Sequence, residues 1–395
     1  MVNKFLNKDD LAKLKSQTPS SKKIVFTYGT FDLIHSGHAA YLVEAKNLGD
    51  VLIVGVTTNK SRREMRGKGF PLVDQKNRAE LLTFFDFVDG VIYVDDRNLL
   101  QHLKILKPDI FFTHSLDWKS HLRKPAEEKF VESYGGQVYK RKPNGPFVSS
   151  SMIVELVADL KIKEVVEYFF GKIKIDLANG NWKVGAFSGL KTKIRTESLV
   201  FPEHLMTLGL FGSKFGRKII PQNKLSIIVK KLKKESKKIV LSSGSCDLLH
   251  AGHVRFFSKA KEEGEILILG IPTDRIIKKQ KGRGRPIINE NSRAELMSFF
   301  PFIDYIFLFD DESIFPPLMD LQPDVFFTVK EEWNNIEKSS ISDNIKEWGG
   351  KIVTAPPQAD GLSSSKLIKR AAGIRVRELF KEVLHEAEKL TSLKD

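Results

Sequence analysis

Two histidines separated by a small residue and a glycine close the stretch GTFDLIHSGH (29–38), and the same pattern returns 215 residues later as GSCDLLHAGH (244–253). His35 and His38, like His250 and His253, directly follow an apolar strand-like run and open a helix-like one. A glycine-containing turn at such a junction lets backbone N–H groups approach an anion, and the helix N-terminus adds partial positive charge. Two imidazoles there can donate hydrogen bonds to the oxygens of a transferring phosphoryl group. Gly37 lies where a side chain would obstruct a phosphate. A single pair of nearby histidines reads as readily as metal ligands or ordinary polar residues. Its duplication at one kind of junction favours phosphate chemistry, and neither copy supplies a third zinc ligand in register.

The elements that must position these residues are themselves duplicated. With a shift of 215, Lys46 falls on Lys261, Asn59 on Asp274, NRAELL (from Asn77) on SRAELM (from Ser292), and KPDIFFT (from Lys107) on QPDVFFT (from Gln322). Trp118 falls on Trp333; beyond them the shift is 214, and VSSS (148–151) meets LSSS (362–365). One register over about 100 residues marks a duplicated domain, too long for a solenoid repeat. Each copy alternates short apolar runs (KIVFTY, DVLIVGV, GVIYV, DIFFT; KIVLSS, EILILGI, YIFLF, DVFFT) with helical stretches. Continuous apolar strands separated by helices predict an α/β chain of two tandem Rossmann-like, doubly wound parallel-sheet domains. The expected division is a leading helix (1–21), a first domain (22–160), a basic connector with a small subdomain and helix (161–236), a second domain (237–373) and a C-terminal amphipathic helix (374–395). In such sheets ligands bind at the carboxyl ends of the strands, where the histidine motif falls.

Composition sets the outer bounds. The formal net charge is +15, and between Lys161 and Val240 there are 18 Lys and Arg against 6 Asp and Glu. Such an excess suits nucleic acid, an anionic membrane surface or phosphorylated substrates, and equally a solvated helix face. No apolar run reaches the roughly 18 residues of a membrane span. Cys246 is the only cysteine, so no internal disulfide forms, and a cytoplasmic, reducing setting is expected.

GTFDLIHSGH and GSCDLLHAGH resemble the His-x-Gly-His signature of the cytidylyltransferase-like nucleotidylyltransferases, and the resemblance spans roughly 22–155 and 237–372. It implies transfer of a nucleoside monophosphate from a Mg²⁺-bound NTP to a phosphorylated acceptor, with release of pyrophosphate. On that resemblance His35, His38, His250 and His253 stabilise charge on the α-phosphate, and Lys46 and Lys261 neutralise the triphosphate or the acceptor phosphate. Nucleotide contacts are implied for Gly29, Thr30, Phe31, Arg78, Ser149, Ser150 and Ser151 in the first copy. Their counterparts in the second are Gly244, Ser245, Asp274, Arg285, Arg293, Ser363, Ser364 and Ser365. Asp117, Trp118, Glu332 and Trp333 lie on the acceptor side. The chemistry is in-line displacement without a covalent intermediate, so Cys246 is not read as a nucleophile, and no protein-held metal is expected.

The copies depart from the family in different places. KGRGRPI (281–287) resembles the loop of heptose-1-phosphate adenylyltransferases, whereas TYGTFDL (27–33) resembles the opening of glycerol-3-phosphate cytidylyltransferase. The first copy has Asn59 and Phe70 where the second has Asp274 and Arg285. The arginine that cytidylyltransferases of the glycerol and choline type carry before the last helix is Asn144 in one copy and Gln358 in the other. The missing arginine and KGRGRPI favour ATP and a sugar or polyol phosphate. A CTP-dependent enzyme of the glycerol- or ethanolamine-phosphate type is the alternative, and a flavin-nucleotide synthase a more distant one. A nucleotide-sensing or nucleic-acid-binding protein using the basic connector is the alternative of another class. Related single domains pair, so an internal pseudo-dimer or a homo-oligomer is also expected.

Overall fold

The computed structural model describes residues 4–95, 98–114, 126–141, 153, 215–282, 284–330, 338–356, 358 and 362–374. Most of the connector, the expected C-terminal helix beyond 374, Ser149–Ser151, Asp117, Trp118, Glu332 and Trp333 lie outside these residues.

The first copy runs α1 (Lys8–Gln17), β1 (Ile24–Gly29), α2 (Ser36–Lys46), β2 (Val51–Thr57), α3 (Asn59–Arg66), α4 (Gln75–Thr83), β3 (Gly90–Val94), α5 (Leu99–Leu106), β4 (Ile110–His114), α6 (Ala126–Ser133) and β5 (Gln137–Arg141). The second runs α7 (Gln222–Lys234), β6 (Ile239–Ser243), α8 (Ala251–Glu262), β7 (Ile266–Pro272), α9 (Asp274–Lys281), α10 (Glu290–Ser298), β8 (Tyr305–Phe309), α11 (Phe315–Leu321), β9 (Val325–Val329), α12 (Lys338–Glu347) and β10 (Lys351–Ala355). A further helical run occupies 364–374. Both sheets are wholly parallel and share one order, β3-β2-β1-β4-β5 and β8-β7-β6-β9-β10. The strand order reverses beside β1 and β6, which makes the carboxyl ends of those strands the topological switch points.

Alternation along β1 sorts its side chains between two layers. Ile24 and Phe26 join Leu11, Leu103 and Phe111 in an outer core under α1 and α5, while Val25 faces the opposite layer. The second copy has its own outer core, with Leu225 and Val229 of α7 against Leu241 and Phe326. The inner layers of both copies merge into one core. At its centre Phe85 stacks on Phe300, centroids 4.9 Å apart. These residues are equivalent in the repeat, so the pair marks a pseudo-two-fold axis. Phe84 meets Phe302 and Phe87 meets Phe299 edge-on, each at 6.2 Å, as the two-fold relation requires. α4 packs on α8, and α10 on α2. The expected internal pseudo-dimer is therefore the architecture of this chain, with an isologous interface between its halves.

The repeat extends into the segments that precede each domain. Leu6 N–H donates to Val91 O, and Ile220 N–H donates to Ile306 O, both at 2.8 Å. Lys4 Nζ caps Phe85 O at 2.6 Å, and Lys218 Nζ caps Phe300 O at 2.8 Å. The helix expected at the end of the connector is thus the second copy's leading helix, and it packs through an apolar stripe at Leu225, Val229 and Leu232.

Candidate active site

Each site starts from a strand that must stop and reverse direction into a helix. After β1 the chain passes through Phe31 in the left-handed region, φ 51°, and after β6 through Cys246 at φ 49°. A non-glycine residue held there carries local strain, which clusters at functional turns. Asp32 fixes the turn: its carboxylate accepts from Leu72 N–H at 2.8 Å and Val73 N–H at 2.7 Å. Asp247 likewise accepts from Ile287 and Ile288 N–H at 2.8 and 2.9 Å. Burial pushes both carboxyls upward in pKa, against these hydrogen bonds. Neither aspartate was among the expected site residues, although the repeated Asp of GTFD and GSCD was the signal that could have found them.

The histidines then stand at the N-termini of α2 and α8, His35 and His250 as N-caps and His38 and His253 in the first turn. The ring centroids in each pair are 3.9 Å apart. A Cβ on Gly37 would stand 3.0 Å from the His35 ring, so a larger residue there would press on the imidazole as well as on any phosphate. Burial, and then the neighbouring His38, holds His35 well below its ordinary pKa, and burial brings His38 to about 4. Burial, and then Arg255, brings His250 to about 4, while burial, His250 and Lys281 hold His253 well below its usual value. Near neutral pH all four are uncharged. Among the described residues, His35 Nε2, His38 Nδ1 and His250 Nδ1 are buried without a hydrogen-bond partner. Buried polar atoms in that condition are uncommon and suit a ligand's oxygens.

The expected arginines do something other than present themselves to solvent. Arg78 is 2% exposed and Arg293 is fully buried. Arg78 donates to Val73 O, Thr30 O, Thr57 O and Asn59 Oδ1 at 2.6–3.0 Å. Arg293 donates to Ile288 O, Ser245 O, Pro272 O and Asp274 Oδ1 over the same span. Direct nucleotide contact, as expected from the sequence, gives way to a clamp that joins the turn after the first strand, the end of the second and the loop that the aspartate holds. A planar guanidinium fork reaches three carbonyls spread around it, a span that the compact ammonium of a lysine does not match. Gly29, Thr30, Phe31, Gly244, Ser245 and Asp274 are gathered at these turns.

Lys46 and Lys261 are the clearest correction. Lys46 Nζ meets Asp89 at 2.6 Å and Asp50 O at 2.5 Å; Lys261 meets Asp304 at 2.5 Å and Glu265 O. Asp50 and Glu265 precede β2 and β7, at the amino edge of each sheet. Eight residues of helix advance the chain by about 12 Å, so these lysines close the bottom of the fold. The lysine that reaches the second site is Lys281, whose Nζ lies 3.0 Å from Ser245 Oγ. It opens the KGRGRPI motif and is not among the residues expected at the site. Arg285 lies 3.1 Å from buried Asp247, as an ion pair without aligned hydrogen bonds, so its Nε and one terminal nitrogen have donors to offer. Ser363 caps the helical run 364–374 through Lys366 N–H, and Ser364 Oγ donates to Leu248 O at 3.1 Å, which brings that helix start to the histidine loop. Cys246 is buried, and burial pushes its thiol up to about 12, which does not suit a nucleophile.

The cytidylyltransferase-like family profile matches residues 26–156 and 241–370, most of the chain and one match per sheet. The chain belongs to the cytidylyltransferase-like family of nucleotidyltransferases. A protein named bifunctional protein HldE from Campylobacter jejuni (strain RM1221) is 43% identical over 119 residues, which is 30% of this chain and 25% of that protein. Its namesake from Syntrophotalea carbinolica is 25% identical over 292 residues, 72% of this chain and 56% of that protein. The chain thus spans about half or less of the length of the curated relatives it matches. Among solved structures, the lipopolysaccharide core biosynthesis protein from Thermoplasma volcanium is 28% identical, covering 32% of this chain and 99% of its own, with a TM-score of 0.27. Among the described residues no helix is long and apolar enough to cross a membrane.

Proposed function

We propose that this protein transfers a nucleoside monophosphate, AMP in preference to CMP, from an NTP to a phosphorylated sugar or polyol. The observation that carries the reading is a pair of uncharged imidazoles, one buried and one half-buried, at a helix N-terminus below a strained turn, present twice. An acceptor phosphate oxygen attacks the α-phosphorus in line, the bond from the α-phosphorus to the bridging oxygen breaks, and Mg²⁺-pyrophosphate leaves. The triphosphate enters with its Mg²⁺ as substrate. Charge grows on the non-bridging α-oxygens, and the imidazole N–H groups are fixed before it appears, so they need not reorganise. Lys281, Arg285 and the helix start at Ser363–Ser365 supply charge and amides for the β- and γ-phosphates of the second site. Ser149–Ser151 are assigned the same task in the first, and Asp117, Trp118, Glu332 and Trp333 the acceptor.

ATP and a heptose-like sugar phosphate are favoured by KGRGRPI and by Gln358 at the position of the missing arginine. CTP with a polyol phosphate is the second reading, favoured by the TYGTFDL opening of the first copy. Calorimetric titration with MgATP and with MgCTP separates them. Preference for ATP supports the first, preference for CTP the second, and binding of neither rejects both. A stoichiometry of one in place of two would mean that one copy has lost its nucleotide.

A further inference from the structure

The two-fold relation between the copies is broken at one conspicuous place. Glu80, two residues after Arg78 on α4 of the first copy, binds Arg255 of the second through both carboxylate oxygens. Arg255 Nε lies 2.5 Å from Oε1 and Nη2 lies 2.6 Å from Oε2. The remaining arm, Nη1, donates to Gln358 O at 2.9 Å. Arg255 sits two residues after His253 on α8. Gln358 leads into the Ser363-capped helix whose Ser364 reaches the loop before His250. One guanidinium therefore ties the histidine helix, the approach to the serine segment and a carboxylate from the other half of the molecule.

The counterparts across the axis are Glu295 and Ala40. Ala40 has nothing to offer a carboxylate. Glu295 instead meets the hydroxyl of Ser36, and burial pushes its carboxyl up to about 7. The carboxylate position is occupied in both halves, but among the described residues only one half answers it with a cation. The Glu80 and Arg255 side chains are 20% and 21% exposed, so the contact is partly dehydrated. A bidentate, partly desolvated fork holds its geometry far better than a surface lysine pair.

We propose that Glu80 of the first copy is a positioning residue for the second copy's site, acting in trans through Arg255 to set the serine segment against His250 and His253. The inference rests on the nucleotidyltransfer reading above. Glu80 touches no substrate. Its effect is on placement, where a displacement of about 1 Å costs on the order of a hundredfold in rate.

The test uses the full chain in two backgrounds, His38→Asn, which leaves the second site to turn over, and His253→Asn, which leaves the first. Pyrophosphate release is followed with MgATP and a panel of hexose and heptose 1-phosphates, alongside hydrogen–deuterium exchange of peptides within 356–370. Glu80→Gln should lower kcat tenfold or more in the His38→Asn background and by less than twofold in the His253→Asn background. It should also speed exchange in 356–370, and Glu80→Asp should recover part of both effects. Should Glu80→Gln fail to fold, Arg255→Lys keeps the charge, cannot hold Glu80 and Gln358 together, and should show the same selective loss. Equal losses in both backgrounds would show a merely structural role and overturn the proposal, as would unchanged kcat and exchange. A parent protein that releases no pyrophosphate and binds neither nucleotide fails the functional reading, and this inference with it. A parent that turns over while Glu80→Gln matches it removes the inference alone.

Discussion

The histidines, one buried and one half-buried in each pair, owe their chemistry to being held without charge. An exposed imidazole would exchange protons near neutrality, whereas His250, 4% exposed and with a pKa of about 4, stays a neutral donor. Burial also makes the fold acid-sensitive. Between pH 6.5 and 4 the unfolded chain binds a proton at this residue that the folded chain refuses, so stability falls as pH falls through that window. The shift corresponds to about 3 kcal/mol for His250 by pH 4. His250→Asn should flatten the decline of melting temperature between pH 6.5 and 4. A decline of unchanged slope would place the acid sensitivity elsewhere. For turnover, removal of one donor from a preorganised phosphate site costs about a hundredfold to a thousandfold. His38→Asn with His253→Asn should therefore lower pyrophosphate release about a hundredfold to a thousandfold, while either alone leaves the other site running.

At the scale of elements, the sequence made the strands and their order of use legible because buried parallel strands are continuous apolar runs, and the 215-residue register showed each element twice. What it hid were consequences of direction and depth. Lys46 follows His38 by eight residues on one helix, and only the axial rise shows that such spacing carries it to the far edge of the sheet. Arg78 and Arg293 sit in the polar-looking strings NRAELL and SRAELM, yet they are among the most buried side chains of the described residues. No local pattern separates a guanidinium that binds ligand from one that binds three carbonyls. Two measurements follow. Lys46→Met with Lys261→Met should leave MgATP affinity unchanged and cost at most about 1 kcal/mol per pair, the usual worth of partly exposed ion pairs; weakened binding would restore these lysines to the site. Arg293→Lys keeps the charge but cannot span Ile288, Ser245 and Pro272 carbonyls, and should destabilise the second copy by about 3 kcal/mol in denaturant unfolding.

Over the whole molecule, the expected pseudo-dimer is held by aromatic packing in the strings TFFDF and SFFPF (83–87 and 298–302). Their apolar character is visible in the sequence, but that they meet each other is not. Phe85→Ala should cost about 3–5 kcal/mol, as a truncated core phenylalanine does. It should also split the unfolding transition as the halves uncouple; a single transition with little loss would mean that this phenylalanine seam is not what couples the halves. The interface is not wholly symmetric. Besides the Glu80–Arg255 pair, Arg370 of the second copy donates to Leu72 O of the first at 2.6 Å, and the position equivalent to Arg370 is Leu156.

Fusion of the halves into one chain bears on how that interface responds to concentration. Two separate subunits joined by a phenylalanine seam drift apart on dilution, and any contact that one site borrows from the other is lost with them. Here the second partner is tethered and is always present at high effective concentration. Specific activity should therefore be the same at nanomolar as at micromolar protein. The tether also permits each half to change without its counterpart, a liberty that a protein assembled from identical subunits does not have.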